Sequence, residues 1–349
     1  MTNVLSRPLA GRVAGRLAGA YPLAFGYHVS QLADELAVAV ERANELVAAE
    51  TGLELPGAAA VLVVTRQEWV DRNLEVFAEL LAPAERRLAE RLERVGGAVG
   101  AAHALARRLL AAETGAVLGL LSRRVLGQYE LVLPGGDEGD SIAFVGGNLL
   151  AMERAHQFRP SEFRLWVALH EAAHRAQFIG VPWLREYFLS LVAELVDQAR
   201  PEPGRLRRVV DEMVAARKAG RPVVDERGIW GLLASPGQRD VLDRVQALMS
   251  LLEGHGHVVM DRIGSRVLRT SERMSRLLKA RRRDPRTAAL LRLTGLELKV
   301  RQYELGERFV LAVERRGGWA SLDRAWEGPE ALPTLAEIED PTRWLRRVA

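Results

Sequence analysis

The stretch Phe163-Arg-Leu-Trp-Val-Ala-Leu-His170-Glu171-Ala-Ala-His174-Arg-Ala-Gln-Phe178 contains the pattern His-Glu-x-x-His. Residues four apart lie on one face of an α-helix, so a helix here presents the imidazoles of His170 and His174 to one point in space. Apolar residues recur at helical spacing through the stretch, with Ser161 as the predicted N-cap and Gly180 as a stop signal. We expect both histidines on the inward face.

Two histidines at this spacing around a glutamate predict a metal site. Two imidazole nitrogens form half of a zinc site, and Glu171 can reach a water bound to the metal and act as a general base. Inward imidazoles beside a carboxylate are costly to bury without a shared partner. The alternative is a structural helix with hydrogen-bonded histidines. Because the chain has no cysteine, any zinc must be bound by histidine and carboxylate.

A second histidine-rich segment, Leu252-Glu-Gly-His-Gly-His-Val-Val-Met-Asp261, lies at the end of a predicted helix that begins after Ser235. On a regular helix Glu253 and His257 share a face, so spacing alone does not choose between them as a third ligand. His255 points roughly opposite to Glu253 unless the helix breaks at the glycines. The alternative is a helix end whose polar residues face solvent.

The remaining pattern is mostly helical. Amphipathic or apolar periodicity predicts helices near residues 27–51, 69–81, 83–94, 102–121, 187–198 and 290–313. A β-branched run predicts a strand at Ala60–Thr65, and Gln128–Leu133 with Ser141–Val145 predict a hairpin around a long polar turn. The hairpin either offers an edge to an extended peptide or is an ordinary packing element. The predicted fold class is mainly α with a small β-sheet (α+β).

Composition describes a globular chain that can bury a large core, with 349 residues, 48% of them hydrophobic and 27% charged. The net charge of +4 is small, and no aromatic residue interrupts the basic run Lys279–Arg286, so we favour a solvated surface there over a nucleic-acid site. Arginines interrupt Met1–Ala20, and charges interrupt every longer apolar run. We therefore predict no signal peptide, no membrane association and a cytoplasmic location.

Several stretches resemble the zincin-like metallopeptidases, including members named as hydrolases or for an association with biosynthesis of a deazaflavin coenzyme. The resemblance covers most of the chain. It is carried by Leu126-Gly-Gln-Tyr129, by His170–Phe178 with Pro182-Trp183-Leu184, by Ala247–His255, by Gly295–Lys299 with Arg301-Gln-Tyr303 and Gly306, and by Asp340-Pro341.

The resemblance implies one zincin-like domain over residues 1–349, with the active-site cleft between the 162–179 helix and the 236–262 helix. It favours Glu253 over His257 as the ligand that completes a Zn²⁺ site with His170 and His174. With Glu171 as general base, the implied activity is metal-assisted hydrolysis of a peptide or amide bond in a peptide or protein substrate. His255 and Tyr303 are candidates for stabilising the oxyanion.

One position departs from the family. Where this chain has His257, the family usually has Asp, and an Asp four residues after the ligand Glu can orient a zinc-bound histidine. His257 therefore either takes over that role or binds the metal itself. Two further functions remain open: a zincin-derived metal-binding protein without turnover, and a basic helical protein that associates with nucleic acid.

Overall fold

The computed structural model describes residues 5–21, 28–92, 98–131, 140–198, 236–282 and 297–349. The protein is mostly helical with a small three-stranded mixed sheet, which confirms the predicted fold class. The chain divides into two compact units. One comprises Met1–Gly180 with Val267–Arg269, and the other comprises Val181–Arg266 with Thr270–Ala349. The single domain with its cleft between two helices stays a prediction.

The first unit surrounds the sheet with six helices among its described residues. They are α1 (Arg7–Ala18), α2 (His28–Thr51), α3 (Arg66–Leu92), α4 (Ala98–Ser122), α5 (Gly146–His156) and α6 (Pro160–Gly180). One core forms where α1, α3 and α4 pack together, and α2 packs along α6. Two of the predicted helix boundaries are wrong. Pro160, not Ser161, is the first residue of α6, and α3 continues through Pro83.

The sheet confirms the three predicted strands. They are β1 (Ala60–Val64), β2 (Gly127–Glu130) and β3 (Ser141–Val145), in the order β1-β3-β2. Central β3 runs parallel to β1 and antiparallel to β2, with Tyr129 opposite Ile142. The edge strand β2 thus forms the predicted hairpin with β3, although most of the connecting turn lies outside the described residues. Helix α6 packs beside β2.

Two buried arginines fix α6 within this unit. Near its beginning, Arg164 forms ion pairs with Glu153 on α5 and with Glu35 on α2. Near its end, Arg175 is almost fully buried and forms a bidentate ion pair with Asp140, at 2.5 and 3.2 Å. A buried guanidinium is costly unless its charge is paired with a carboxylate, so these ion pairs specify where the helix can lie.

The second unit contains α7 (Leu184–Asp197), α8 (Pro236–Val267), α9 (Ser271–Arg282) and α10 (Glu297–Gly317). Two 3₁₀ turns follow at Trp319–Trp326 and Pro329–Ala331, and then the short helices α11 (Leu335–Glu339) and α12 (Pro341–Arg347). Helix α8 is continuous through Gly254 and Gly256. The predicted loop at 218–237 and the predicted capping residue Ser235 lie almost entirely outside the described residues.

The C-terminal end is packed and hydrogen-bonded. Trp344 is fully buried, stacks edge-on against Phe309 at 5.4 Å and donates its indole N–H to the Ala331 carbonyl. Arg347 donates to both carboxylate oxygens of Glu337 at 2.7 and 3.0 Å. Burial alone would raise the pKa of Glu337, but the hydrogen bonds from Arg347 and Thr334 hold that pKa below its ordinary value.

Within the described ranges, no helix is both long enough and apolar enough to cross a bilayer.

Replacing Arg347 with Met should destabilise the second unit in a pH-dependent way. Because Glu337 has a lowered pKa when folded, its ion pair stabilises the protein above the ordinary glutamate pKa, and this contribution is lost as pH falls. We expect the variant to lose about 1–2 kcal/mol at pH 7 by urea unfolding, and less at pH 4. Arg346→Met is the control, since within the described ranges Arg346 donates only to the Thr342 carbonyl of its own helix. Equal losses in both variants at both pH values would contradict this account.

Candidate metal centre

The two histidines of the motif lie together on α6. Their Nε2 atoms are 3.3 Å apart, and their rings are nearly perpendicular, at 80°. Nearly every other residue of the helix from Phe163 to Gln177 is buried, whereas His170 and His174 are half-buried. The histidines are thus less enclosed than their predicted inward position implies. Between Phe163 and Gln177, the exposure of α6 is therefore found mainly at these two histidines.

The separation of the two nitrogens fits a shared metal ion. Zinc–nitrogen bonds of roughly 2.0–2.1 Å at a tetrahedral angle place two ligand nitrogens about 3.3–3.4 Å apart. The same separation also fits a weak hydrogen bond between the rings. What distinguishes the two is the proton on each Nε2, which is determined by the partner of the other ring nitrogen.

Gln177 supplies that partner for His174. The His174 Nδ1 lies 3.0 Å from the Gln177 Oε1, one turn further along α6. An amide oxygen can only accept, so Nδ1 carries the proton and donates it. With Nδ1 protonated, the neutral ring has its lone pair on Nε2, which can bind a metal or accept a hydrogen bond from the His170 Nε2. Gln177 is fully buried, so this orientation of the ring is held firmly.

Glu171 projects from the same helix toward the edge strand β2. It is buried, and its Oε2 accepts a hydrogen bond from the Tyr129 backbone N–H at 2.9 Å. Tyr129 stacks on Phe178, with ring centroids 6.2 Å apart, which adds a second tie between β2 and α6. Gly127 makes room for the carboxylate, since a Cβ there would lie 2.8 Å from both Cγ and Oε1 of Glu171. The predicted base is therefore held by backbone.

The other predicted site residues lie on α8 and α10, in the second unit. Glu253, His255 and His257 are all buried. His255 contacts the rings of Trp319 and Trp326, at centroid distances of 5.6 and 5.2 Å. These contacts lie on the side of α8 away from Glu253, because the helix does not break.

His257 and Tyr303 are placed only in part. The His257 Nε2 lies 4.0 Å from the Asp261 Oδ2, so this residue faces a carboxylate one turn along its own helix. Tyr303 belongs to α10, but its side chain lies outside the described residues, as do those of the basic run Arg281, Arg282 and Arg283. The oxyanion role of Tyr303 and the expected absence of nucleic-acid binding stay predictions.

Two comparisons with known proteins give a match over nearly the whole chain. The sequence profile described as "Zincin-like metallopeptidase" matches residues 7–345. The chain belongs to the zincin-like metallopeptidase family. It is also similar to a crystal structure from Chloroflexus aurantiacus described as "a putative hydrolase with a novel fold", at 30% identity and a TM-score of 0.71, with 98% of each chain covered. No curated protein matches the chain significantly.

Membership of the zincin-like family gives the motif a context that spacing alone lacks. The residues that sequence reasoning missed are those that hold the motif, namely Gln177, Tyr129 and Gly127. Gln177 follows His174 by three residues on a helix, so its contact could have been anticipated from spacing. The contact from Tyr129 uses a backbone N–H, which leaves no signature in side-chain pattern.

Replacing Gly127 with Ala should displace the Glu171 carboxylate. The added methyl group would come closer to Glu171 than real Cβ atoms approach their neighbours, so the hydrogen bond to the Tyr129 N–H should break. We expect hydrogen exchange of the Tyr129 amide to quicken by about tenfold or more, as measured by NMR. Gly11→Ala is the control, because its Cβ would make only ordinary contacts at 3.8 and 3.9 Å. Unchanged exchange at Tyr129 in folded Gly127→Ala would show that the carboxylate is not held this way.

Proposed function

We propose that this chain is a zinc-dependent metallopeptidase that hydrolyses a peptide or amide bond. The observation that carries the proposal is the 3.3 Å separation of the His170 and His174 Nε2 atoms beside a backbone-held Glu171. Membership of the zincin-like family supports it. The substrate is a peptide or protein.

His170, His174 and Glu253 are the proposed zinc ligands. The two histidines lie side by side on α6 in the first unit, and Glu253 is a buried carboxylate on α8 in the second. The resemblance to the family favours Glu253 over His257, and a carboxylate leaves the site with less positive charge than a third imidazole would. Two imidazoles and one carboxylate are a known ligand set of catalytic zinc, and three protein ligands leave a position for water.

Zinc held there would supply Lewis acidity and lower the pKa of water. The residues of the chain would then bind the metal, orient its ligands and transfer the proton. His170 and His174 bind through Nε2, and Gln177 keeps the His174 ring in the binding tautomer. Glu171 takes a proton from the attacking water and passes it to the leaving nitrogen. The Tyr129 N–H keeps the carboxylate from rotating away, so the base is already oriented when substrate arrives.

A zincin-derived protein that binds metal without turnover is the alternative. It shares the proposed ligands and differs only in chemistry. Nothing in the placement of His170, His174 and Gln177 separates the two functions, because all three act on metal binding. Only the role of Glu171 differs, so the two are distinguished by a variant of this residue.

The first test of the proposal is metal content. Wild type purified without added zinc should contain about one zinc per chain by elemental analysis, and His174→Ala and Glu253→Ala should lose it. His257→Ala should weaken binding only by roughly 10–100-fold, as loss of a residue outside the ligand set does. His156→Ala is the control, since this half-buried histidine ends α5 and contacts the Phe158 ring, with centroids 5.4 Å apart. Zinc retained in Glu253→Ala and lost in His257→Ala would make His257 the third ligand.

Substituting Glu171 with Gln tests the chemistry separately. The amide keeps the volume but cannot accept a proton, so the variant should bind zinc like wild type and lose hydrolysis by at least about 10²-fold. A peptide library supplies the substrate, and cleavage is followed by mass spectrometry. Wild type that binds zinc but cleaves nothing in broad libraries would favour the non-enzymatic alternative.

A further inference from the structure

We propose that Gly306 and His255 are positioning residues for Glu253. Gly306 sets how closely the neighbouring helix approaches α8, and His255 sets the rotation of α8 about its own axis. The inference deepens the proposed function and rests on it, since Glu253 matters here as a ligand. It concerns only contacts within the second unit.

The first observation is a backbone crossing beside Glu253. Helices α8 and α10 touch at Gly254 and Gly306, where neither residue has a side chain to separate the backbones. A Cβ on Gly306 would overlap the Ser250 carbonyl and lie 3.1 Å from the Gly254 Cα. A Cβ on Gly254 would lie 2.6 Å from the Gly306 Cα. Any larger residue at Gly306 must therefore push the two helices apart at the turn that carries Glu253.

The second observation is the packing of His255. Its ring is only 2% exposed, is stacked on Trp319 at an interplanar angle of 23° and meets Trp326 edge-on at 80°. Trp319 has a second contact, since the Arg262 guanidinium lies 4.6 Å from its ring centroid. Trp326 is fixed through its backbone carbonyl, which accepts from the Trp183 indole N–H at 2.9 Å.

These two contacts act on different degrees of freedom of one helix. The glycine crossing fixes the distance of α8 from α10, and the aromatic contacts fix the direction in which residues 253–257 point. Glu253 is two residues from His255, which is about 200° around the helix, so a rotation of α8 that displaces His255 displaces Glu253 in nearly the opposite direction. A metal ligand displaced by even 1 Å no longer meets the bond lengths that zinc requires.

The assignment gives His255 a role other than the predicted stabilisation of the oxyanion. Trp319 stacks on the His255 imidazole and Trp326 meets it edge-on, and a benzene ring can make both of these contacts. His255→Phe should therefore preserve the position of Glu253, whereas His255→Ala should not. If His255 instead donated a hydrogen bond to substrate or bound the metal, both variants would lose that function to the same extent.

The test measures zinc affinity by competition with a chromophoric chelator, using the full chain. Gly306→Ala and His255→Ala should each weaken zinc binding by about tenfold or more, and His255→Phe should recover most of that loss. Gly115→Ala is the matched control. There, α4 crosses α1 with the same closeness, because a Cβ would overlap the Ala10 carbonyl and lie 2.9 Å from its Cα. This control should lower the melting temperature but leave zinc affinity within about twofold of wild type.

The possible outcomes distinguish failure of the positioning roles from failure of the proposed zinc site. Wild-type affinity in folded Gly306→Ala, or equal weakness in His255→Phe and His255→Ala, overturns the positioning roles while the zinc site stands. Absence of zinc binding in wild type overturns the proposed function and the inference together. If circular dichroism shows that Gly306→Ala does not fold, the comparison of the two His255 variants decides.

Discussion

The requirement that buried charge be paired determines where α6 can lie, and the motif histidines depend on α6. Arg164 and Arg175 are eleven residues apart on this helix, and each is surrounded by groups from elsewhere in the first unit. Arg175 donates hydrogen bonds to Asp140, beside β3, and to the backbone carbonyls of Pro56 and Gly57, before β1. Removing either arginine leaves buried carboxylates or carbonyls without donors, a cost of several kcal/mol. The helix is therefore fixed against both sliding and rotation.

A helix fixed in this way can place its side chains without further help from packing. His170 and His174 are only half-buried. A hydrogen bond with Gln177 orients the His174 ring, and the Tyr129 N–H of β2 holds the intervening Glu171. The motif thus combines a rigid backbone with individually tethered side chains, which is the condition for an oriented ligand set and a ready base.

Much of this arrangement follows from the sequence, and the exceptions share a cause. The spacing of His170 and His174 predicted both the helix and the meeting of their nitrogens, because i, i+4 geometry is local. The strands were predictable from their β-branched runs for the same reason. The predicted helices 69–81 and 83–94 are separated at Pro83, whose missing N–H usually ends a helix, yet α3 continues through it. The support of Glu171 by Tyr129 depends on a contact across 42 residues, which no local pattern encodes.

The segment around Glu253 is a second case in which local sequence does not determine a tertiary contact. Whether His255 could face the same way as Glu253 depended on a break at the glycines, and glycine permits a break without requiring one. The helix is continuous, and Gly254 instead makes a close crossing with Gly306, a tertiary contact.

Anomalous diffraction at the zinc edge, from crystals grown with zinc, tests the central claim most directly. The account predicts a single strong peak roughly 2.0–2.2 Å from the Nε2 atoms of His170 and His174 and from a carboxylate oxygen of Glu253. No peak at His170 and His174, or a peak bonded to them and to His257 with Glu253 turned away, would contradict it.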